Sequence, residues 1–376
     1  MIKRGINSDL VVSLAQELTE DAVGYMPKEQ AYELLKHATG QDFGHNVKQW
    51  KKWLEANPIS PEQYVNAVIE TSSPPSQPSE PPRIALENAR QITELRKLRH
   101  GWISQVRWAS ANSVLAVATA DGVYLHSMGD GPTQQHHLQG HGGPVKAVAF
   151  ILSQSLFSAS ADTTVRLWTR NRGEYHNEII TTGHTNSVEA VAIFPLTKHP
   201  ASGGADGTVR IGERMLGSHS AEVESIAFTP DGHTLISGGR DNTVRLWHVE
   251  SGDQRAILQH DDWVREVSIS PDGMSVISAC KDGTINKWDI ESGEKRLTVQ
   301  AHERGVDSVA FSSHGLLASG GRDNLVKLWN AHTFELVATL SAHTKPVLSV
   351  AFNPDGTRLA SGSGDNTVRI WGINLP

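Results

Sequence analysis

The sequence predicts a mainly β chain, a seven-bladed β-propeller carried behind a small N-terminal all-α domain. Three observations predict it. From residue 121 onward seven aspartates recur, each about 22 residues after a histidine. Between each pair runs a short segment of alternating apolar and small residues, the mark of a strand with one face buried. Ahead of the first of these histidines the apolar spacing is helical instead, and a proline-rich stretch divides the two patterns.

Residues 1–70 read as short helices. Leu10, Leu14 and Leu18 stand four apart with Val11 and Ala15 beside them, an apolar stripe along one helix. A second helix is expected from Pro27 to Ala38, with proline in its first turn and Gly40 beyond its end. A third carries Val47, Trp50, Trp53 and Leu54. The fourth opens on Ser60 as N-cap, Pro61 and Gln63 in capping-box register. Residues 71–82, TSSPPSQPSEPP, hold five prolines and no large apolar side chain. Such a segment favours extended polyproline II and reads as a spacer reaching roughly 35 Å.

Residues 83–376 repeat. The aspartates at 121, 162, 206, 241, 282, 323 and 365 sit in phrases such as SASADTTVRLW and SGSGDNTVRIW, and the histidines stand at 100, 141, 184, 219, 260, 302 and 343. VKAVAF, VESIAF, VDSVAF and VLSVAF are the alternating strands between them, and Pro-Asp-Gly at 230–232, 271–273 and 354–356 marks hairpin turns. Each period then holds four short strands, one blade of a propeller.

Composition sets the outer limits. Apolar residues make up 38% and charged residues 20%, enough to bury a core. The formal net charge of −7, with Lys and Arg dispersed, argues against nucleic acid as a partner, because phosphate binding needs a concentrated basic surface. Cys280 is the one cysteine, so no intramolecular disulfide forms and a reducing compartment is expected. The start, MIKRGINSDL, lacks a signal-peptide apolar run, and no stretch is apolar enough to span a membrane. A cytoplasmic protein without cofactor or metal is expected.

The histidine, the aspartate and the tryptophan closing most repeats resemble the WD-repeat family across residues 83–376. The resemblance implies a hydrogen-bonded tetrad inside each blade, built from His, Ser four before the Asp, the Asp and Trp six after it. Five sets read as complete: His141, Ser158, Asp162 and Trp168; His219, Ser237, Asp241 and Trp247; His260, Ser278, Asp282 and Trp288; His302, Ser319, Asp323 and Trp329; His343, Ser361, Asp365 and Trp371. The third repeat keeps His184, Ser202 and Asp206 but has Gly212 for Trp; the first has Val117 for Ser and no Trp. Buried Trp and His N–H groups need acceptors, so a satisfied network rigidifies the blade. Because Ser, His and Asp recur blade after blade, they read as structural and not as a catalytic triad.

The last blade lacks a fourth strand, since the sequence ends five residues beyond Trp371. Ile92–Leu98 stands in phase with the fourth strands and is expected to complete it, the strand-exchange closure of the family. The family also places partners on the face of the His loops and Asp turns, around the channel. Carried over, the residues preceding each Asp include Arg240, Lys281 and Arg322, and the strand-entry positions include Trp102, Lys146, Glu189, Glu222, Glu224, Trp263, Arg265, Asp307 and Leu348. Arg240, Trp263, Arg265, Lys281 and Arg322, with Trp102, form the candidate partner site, a basic sector flanked by acidic Glu189, Glu222 and Glu224. Arg and Trp suit hot spots. The expected function is a non-enzymatic protein-interaction scaffold, or adaptor, for an acidic or phosphorylated peptide or a matching protein surface. A nucleic-acid- or phospholipid-binding propeller and a propeller hydrolase are the rival readings. Residues 38–58 resemble the tail that closes some bacterial HEAT-type helical arrays.

Overall fold

The computed structural model describes residues 81–374, apart from 111–113, 130–133, 153–154 and 181–182, together with Lys36, Gln49 and Lys52, each in helical conformation. The helical-domain expectation, the HEAT-like segment and most of the expected linker otherwise lie outside the described residues. The chain divides between Glu80 and Pro81 into two compact units, of which the second is described here.

Seven four-stranded antiparallel sheets make up this unit. Blades 1 to 6 span residues 103–138, 145–180, 188–218, 223–259, 264–300 and 306–340; blade 7 spans 347–372. In each, four consecutive strands run outward from the axis, so every connection is a local hairpin. The exception is blade 7, whose outer strand is β1 (Thr93–Arg99), paired with the strand Thr367–Gly372. First and last strands therefore share one sheet, and blade 7 has four strands like the other six. Expected from Ile92, this strand begins at Thr93 and ends at Arg99. Ile92 precedes it as a buried plug, with Ile84 and Ala89, against apolar residues of blades 6 and 7.

The core lies between blades. Val, Ile and Leu of one sheet pack on small residues of its neighbour: a Cβ on Gly238 would stand 2.6 Å from Val264 Cγ1 of the next blade. The turn after each repeated aspartate needs a left-handed residue, and Asn242, Asn324 and Asn366 occupy it at φ of 63°, 70° and 66°. Among the described residues, no helix is long and apolar enough to cross a membrane.

Candidate functional site

Every inner strand carries a register shift at its second residue, for example between Val264 and Glu266 and between Val306 and Ser308. Such a bulge leaves one residue outside the pairing and re-aims its side chain. The seven bulged residues are Ser104, Lys146, Glu189, Glu224, Arg265, Asp307 and Leu348, and all line an axial channel of about 850 Å³. The third residue of the strand then turns toward the next blade. Ser349, Gln105, Ser225, Glu266 and Ser308 each accept the backbone N–H of the following inner strand, at Val106, Val148, Val267, Val309 and Val350. Ala147 and Ala190, at the equivalent places in blades 2 and 3, have no acceptor to offer. Further along the channel, Arg107 of blade 1 reaches Glu266 of blade 5 at 2.7 Å.

The structure brings together most of the expected partner residues, in a form unlike the basic sector read from the sequence. Arg240 binds Glu222 at 2.6 Å and also Glu224. Arg265 and Arg322 share Asp307, at 3.2 and 3.0 Å. Lys281 lies 3.6 Å from Asp262, and Lys146 lies 3.1 Å from Glu189. The acidic residues are thus inside the sector, because the bulge aims Glu224 and Asp307 at the same channel mouth as the arginines. The Trp263 ring lies between Arg240 and Lys281, whose charged groups stand 4.9 and 3.9 Å from its centroid. Trp102 stands apart on the channel wall by Gly364, 55% exposed.

In blades 2, 4, 6 and 7 the four repeated polar residues are joined. The His Nδ1–H donates to the aspartate at 2.8–2.9 Å, the Ser hydroxyl donates to His Nε2 at 2.7–2.8 Å, and Trp Nε1–H donates to the same Ser oxygen at 2.7–2.8 Å. His184, Ser202 and Asp206 make the same contacts in blade 3 without Trp. Burial alone would raise the Asp162 carboxyl. The bonds from Thr164, the Gly142 N–H and His141 outweigh it and hold the pKa at about 2.

Blade 5 departs from the expected set. His260 Nδ1–H donates to the Leu258 carbonyl at 2.9 Å, and the Asp282 carboxylate, exposed, accepts within its own turn, from Thr284. His260 still accepts from Ser278 at 2.7 Å, and the Trp288 N–H is shared between His260 and Ser278. Blades 2, 3, 4 and 7 have Gly142, Thr185, Ser220 and Thr344 after the histidine, and their N–H groups bind the aspartate. Blade 5 has Asp261 there and blade 6 has Glu303, and in blade 6 Asp323 keeps its bond to His302.

Blade 1 uses different chemistry. His126 stands opposite Leu115, the register that Trp occupies elsewhere, and its Nε2 meets His100 Nε2 at 2.8 Å. Asp121 instead binds Thr119 and Tyr124. His126 escaped the sequence reading because this blade's turn is one residue shorter. His136 and His137 face different neighbours, Tyr175 and Tyr124. Cys280 is buried, which pushes its thiol up to about 12. Among the described residues, no group of three or more His, Cys, Asp or Glu is placed to hold a metal ion.

Six segments, residues 132–169, 177–211, 213–248, 252–289, 293–330 and 334–372, match the family model described as WD domain, G-beta repeat. The seventh unit, with its His100–His126 pair, lies ahead of them. Over 109 residues the chain is 29% identical to the ribosome biogenesis protein ytm1 of Neurospora crassa, a stretch covering 27% of this chain and 21% of that relative. The chain thus spans about a fifth of the relative's length.

Proposed function

The chain belongs to the WD-repeat family, and from that premise we propose that it is a non-enzymatic scaffold whose channel mouth binds a peptide or a protein surface. One observation carries the reading. The bulges turn seven side chains into one concave ring, with exposed Trp102 at its wall and Trp263 at its rim. An exposed tryptophan with a second one and arginines near a rigid mouth is the composition of binding hot spots. The relative named for ribosome biogenesis supports the same reading, since biogenesis is assembly. Fold alone does not fix function, so the residues of the mouth bear the argument.

Charge balance at the mouth disfavours a polyanion. Five cations, Lys146, Arg240, Arg265, Lys281 and Arg322, meet five carboxylates, Glu189, Glu222, Glu224, Asp262 and Asp307. Nucleic acid or an anionic lipid surface would need cations free of such partners.

The test places a photo-crosslinking side chain at Trp102, and separately at exposed Met274 in an inner-strand hairpin, in the full chain expressed in its native host. Discrete protein adducts at position 102, lost with Arg322→Glu, are expected. Adducts at position 274 alone would overturn the reading. Arg322 is 41% exposed and suits the test, whereas Arg265 is packed on Asp307 and its reversal would perturb the ring as well.

A further inference from the structure

The ion pairs of the mouth are not all one-to-one. Lys146 with Glu189, and Lys281 with Asp262, are balanced pairs. Around Asp307 two guanidiniums, Arg265 and Arg322, share a single carboxylate. Around Arg240 the ratio is inverted: one guanidinium is held by two carboxylates, Glu222 and Glu224. The first cluster retains one positive charge and the second one negative charge. They sit on neighbouring blades, with the Trp263 ring held against both Arg240 and Lys281.

Each cluster is partly shielded from water, with Arg265 and Glu224 the shielded members beside more exposed Arg322 and Glu222. The Asp307 side chain is 6% exposed, and Arg265 Nε is buried with no hydrogen-bond acceptor. Burial lowers the Arg265 pKa and Arg322 lowers it further, against the pull of Asp307 and, more weakly, of Glu224 in the second cluster. Burial raises the Glu224 pKa and Glu189 adds to the rise, against the pull of Arg240 and, more weakly, of Arg265. A partly desolvated excess charge attracts its complement more strongly than one in open solvent.

We propose that the mouth recognises a bipolar peptide segment, with an Asp or Glu side chain over Arg265 and Arg322 and a Lys or Arg side chain over Glu222 and Glu224. The inference rests on the protein-binding reading of the mouth and names the chemistry of its ligand. A carboxylate fits the first cluster better than a phosphate. One unit of charge is uncompensated there, and a phosphorylated side chain brings about −1.5 to −2. Trp263, against Arg240 of the second cluster, gives a neighbouring residue of the segment an apolar surface.

The probe is a random peptide library displayed against the immobilised full chain, with Arg322→Glu and Glu222→Arg as variants and thermal melts to show that each is folded. Peptides carrying one acidic and one basic residue at a recurring separation are expected. Each variant alone should weaken the selected peptides by roughly tenfold or more. The double variant should prefer peptides with the two signs exchanged. Purely acidic peptides, sensitive to Arg322→Glu and indifferent to Glu222→Arg, would overturn the bipolar segment and leave the protein-binding mouth standing. Peptides indifferent to both variants, and to Trp102→Ala, would overturn the mouth as a binding site. If Glu222→Arg melts early, Glu222→Gln replaces it as the single variant, with weaker binding of the selected peptides expected and no exchange of signs.

Discussion

Arg107 of blade 1 and Glu266 of blade 5 meet across the axial channel, Nη2 to Oε1 at 2.7 Å. Their strands are not neighbours in the ring, so the pair ties opposite walls. It can do so because most other residues at the level of Arg107 are short: Ala149, Ala192, Ala227, Ser268, Ala310 and Ala351 leave the lumen open for one long side chain. The second carboxylate oxygen of Glu266 accepts the Val309 N–H at 2.8 Å, which joins blade 5 to blade 6.

Glu266→Ala removes both contacts and leaves the Val309 N–H without its acceptor. A loss of roughly 1–3 kcal/mol is expected. Arg107→Ala keeps the blade 5–blade 6 bond and opens the channel, and the arginine is partly solvated, so its loss should be smaller. Urea denaturation of both variants checks the order. Equal losses would show that the cross-channel pair, and not the Val309 bond, carries the effect.

The tetrads give a contrast within one molecule. Asp241 accepts from His219, Thr243, Arg245 and the Ser220 N–H, whereas the Asp282 carboxylate accepts within its own turn, from Thr284. Asp241→Ala should therefore cost roughly 1–3 kcal/mol and Asp282→Ala less than about 1. Thermal unfolding distinguishes them, and comparable losses would refute the account of blade 5.

The strand periodicity and the seven-fold phase were legible because each depends on local alternation and on turn residues such as Asn242 and Gly232. Closure by β1 was legible because the missing outer strand of blade 7 has one in-phase substitute. What local pattern cannot carry is pairing at a distance. Asp282 keeps its place in the phrase, yet its carboxylate holds Thr284 while His260 turns to the Leu258 carbonyl. Arg240, Arg265 and Arg322 read as a basic sector until the bulges bring Glu224 and Asp307 to them. Arg107 and Glu266 lie 159 residues apart, and each alone resembles an ordinary solvated charge.

Ile84 lies ahead of the closing strand and is fully buried among Leu316, Leu359 and Trp371, with its N–H donating to Gly356 at 2.7 Å. The seam is therefore held by packing before β1 as well as by the β1 ladder. Ile84→Ala should destabilise the ring by roughly 2–5 kcal/mol. Hydrogen exchange should show the protection of Arg96–Arg99 falling before that of blade 4. Uniform loss around the ring would contradict a seam anchored at Ile84.

Acid should act on the ring in two stages. The His126 pKa is held at about 4, chiefly by burial and then by the nearby charges of His100 and Arg96. Burial likewise takes His260 to about 4, against the bond to Leu258. An unfolded histidine takes up its proton near pH 6.5, so between about 6.5 and 4 the unfolded chain binds more protons than the folded one. Stability then falls as pH drops through that window, by up to roughly 3 kcal/mol for each residue, and is unaffected by either above it. The carboxylates follow: Asp162, Asp206 and Asp365 titrate at about 2, so their contribution is lost only as pH falls below the ordinary carboxylate range. At the His100–His126 contact one proton lies between two Nε2 atoms, and a second there breaks the bond and sets a cation beside Arg96, with Asp121, Tyr124 and His137 close to His100. His126→Gln keeps a hydrogen-bonding partner for His100 and cannot take up that proton. Denaturation midpoints followed from neutral pH down to about 4 should fall less steeply in this variant than in the wild type. An unchanged slope would mean that the pair does not govern the first stage.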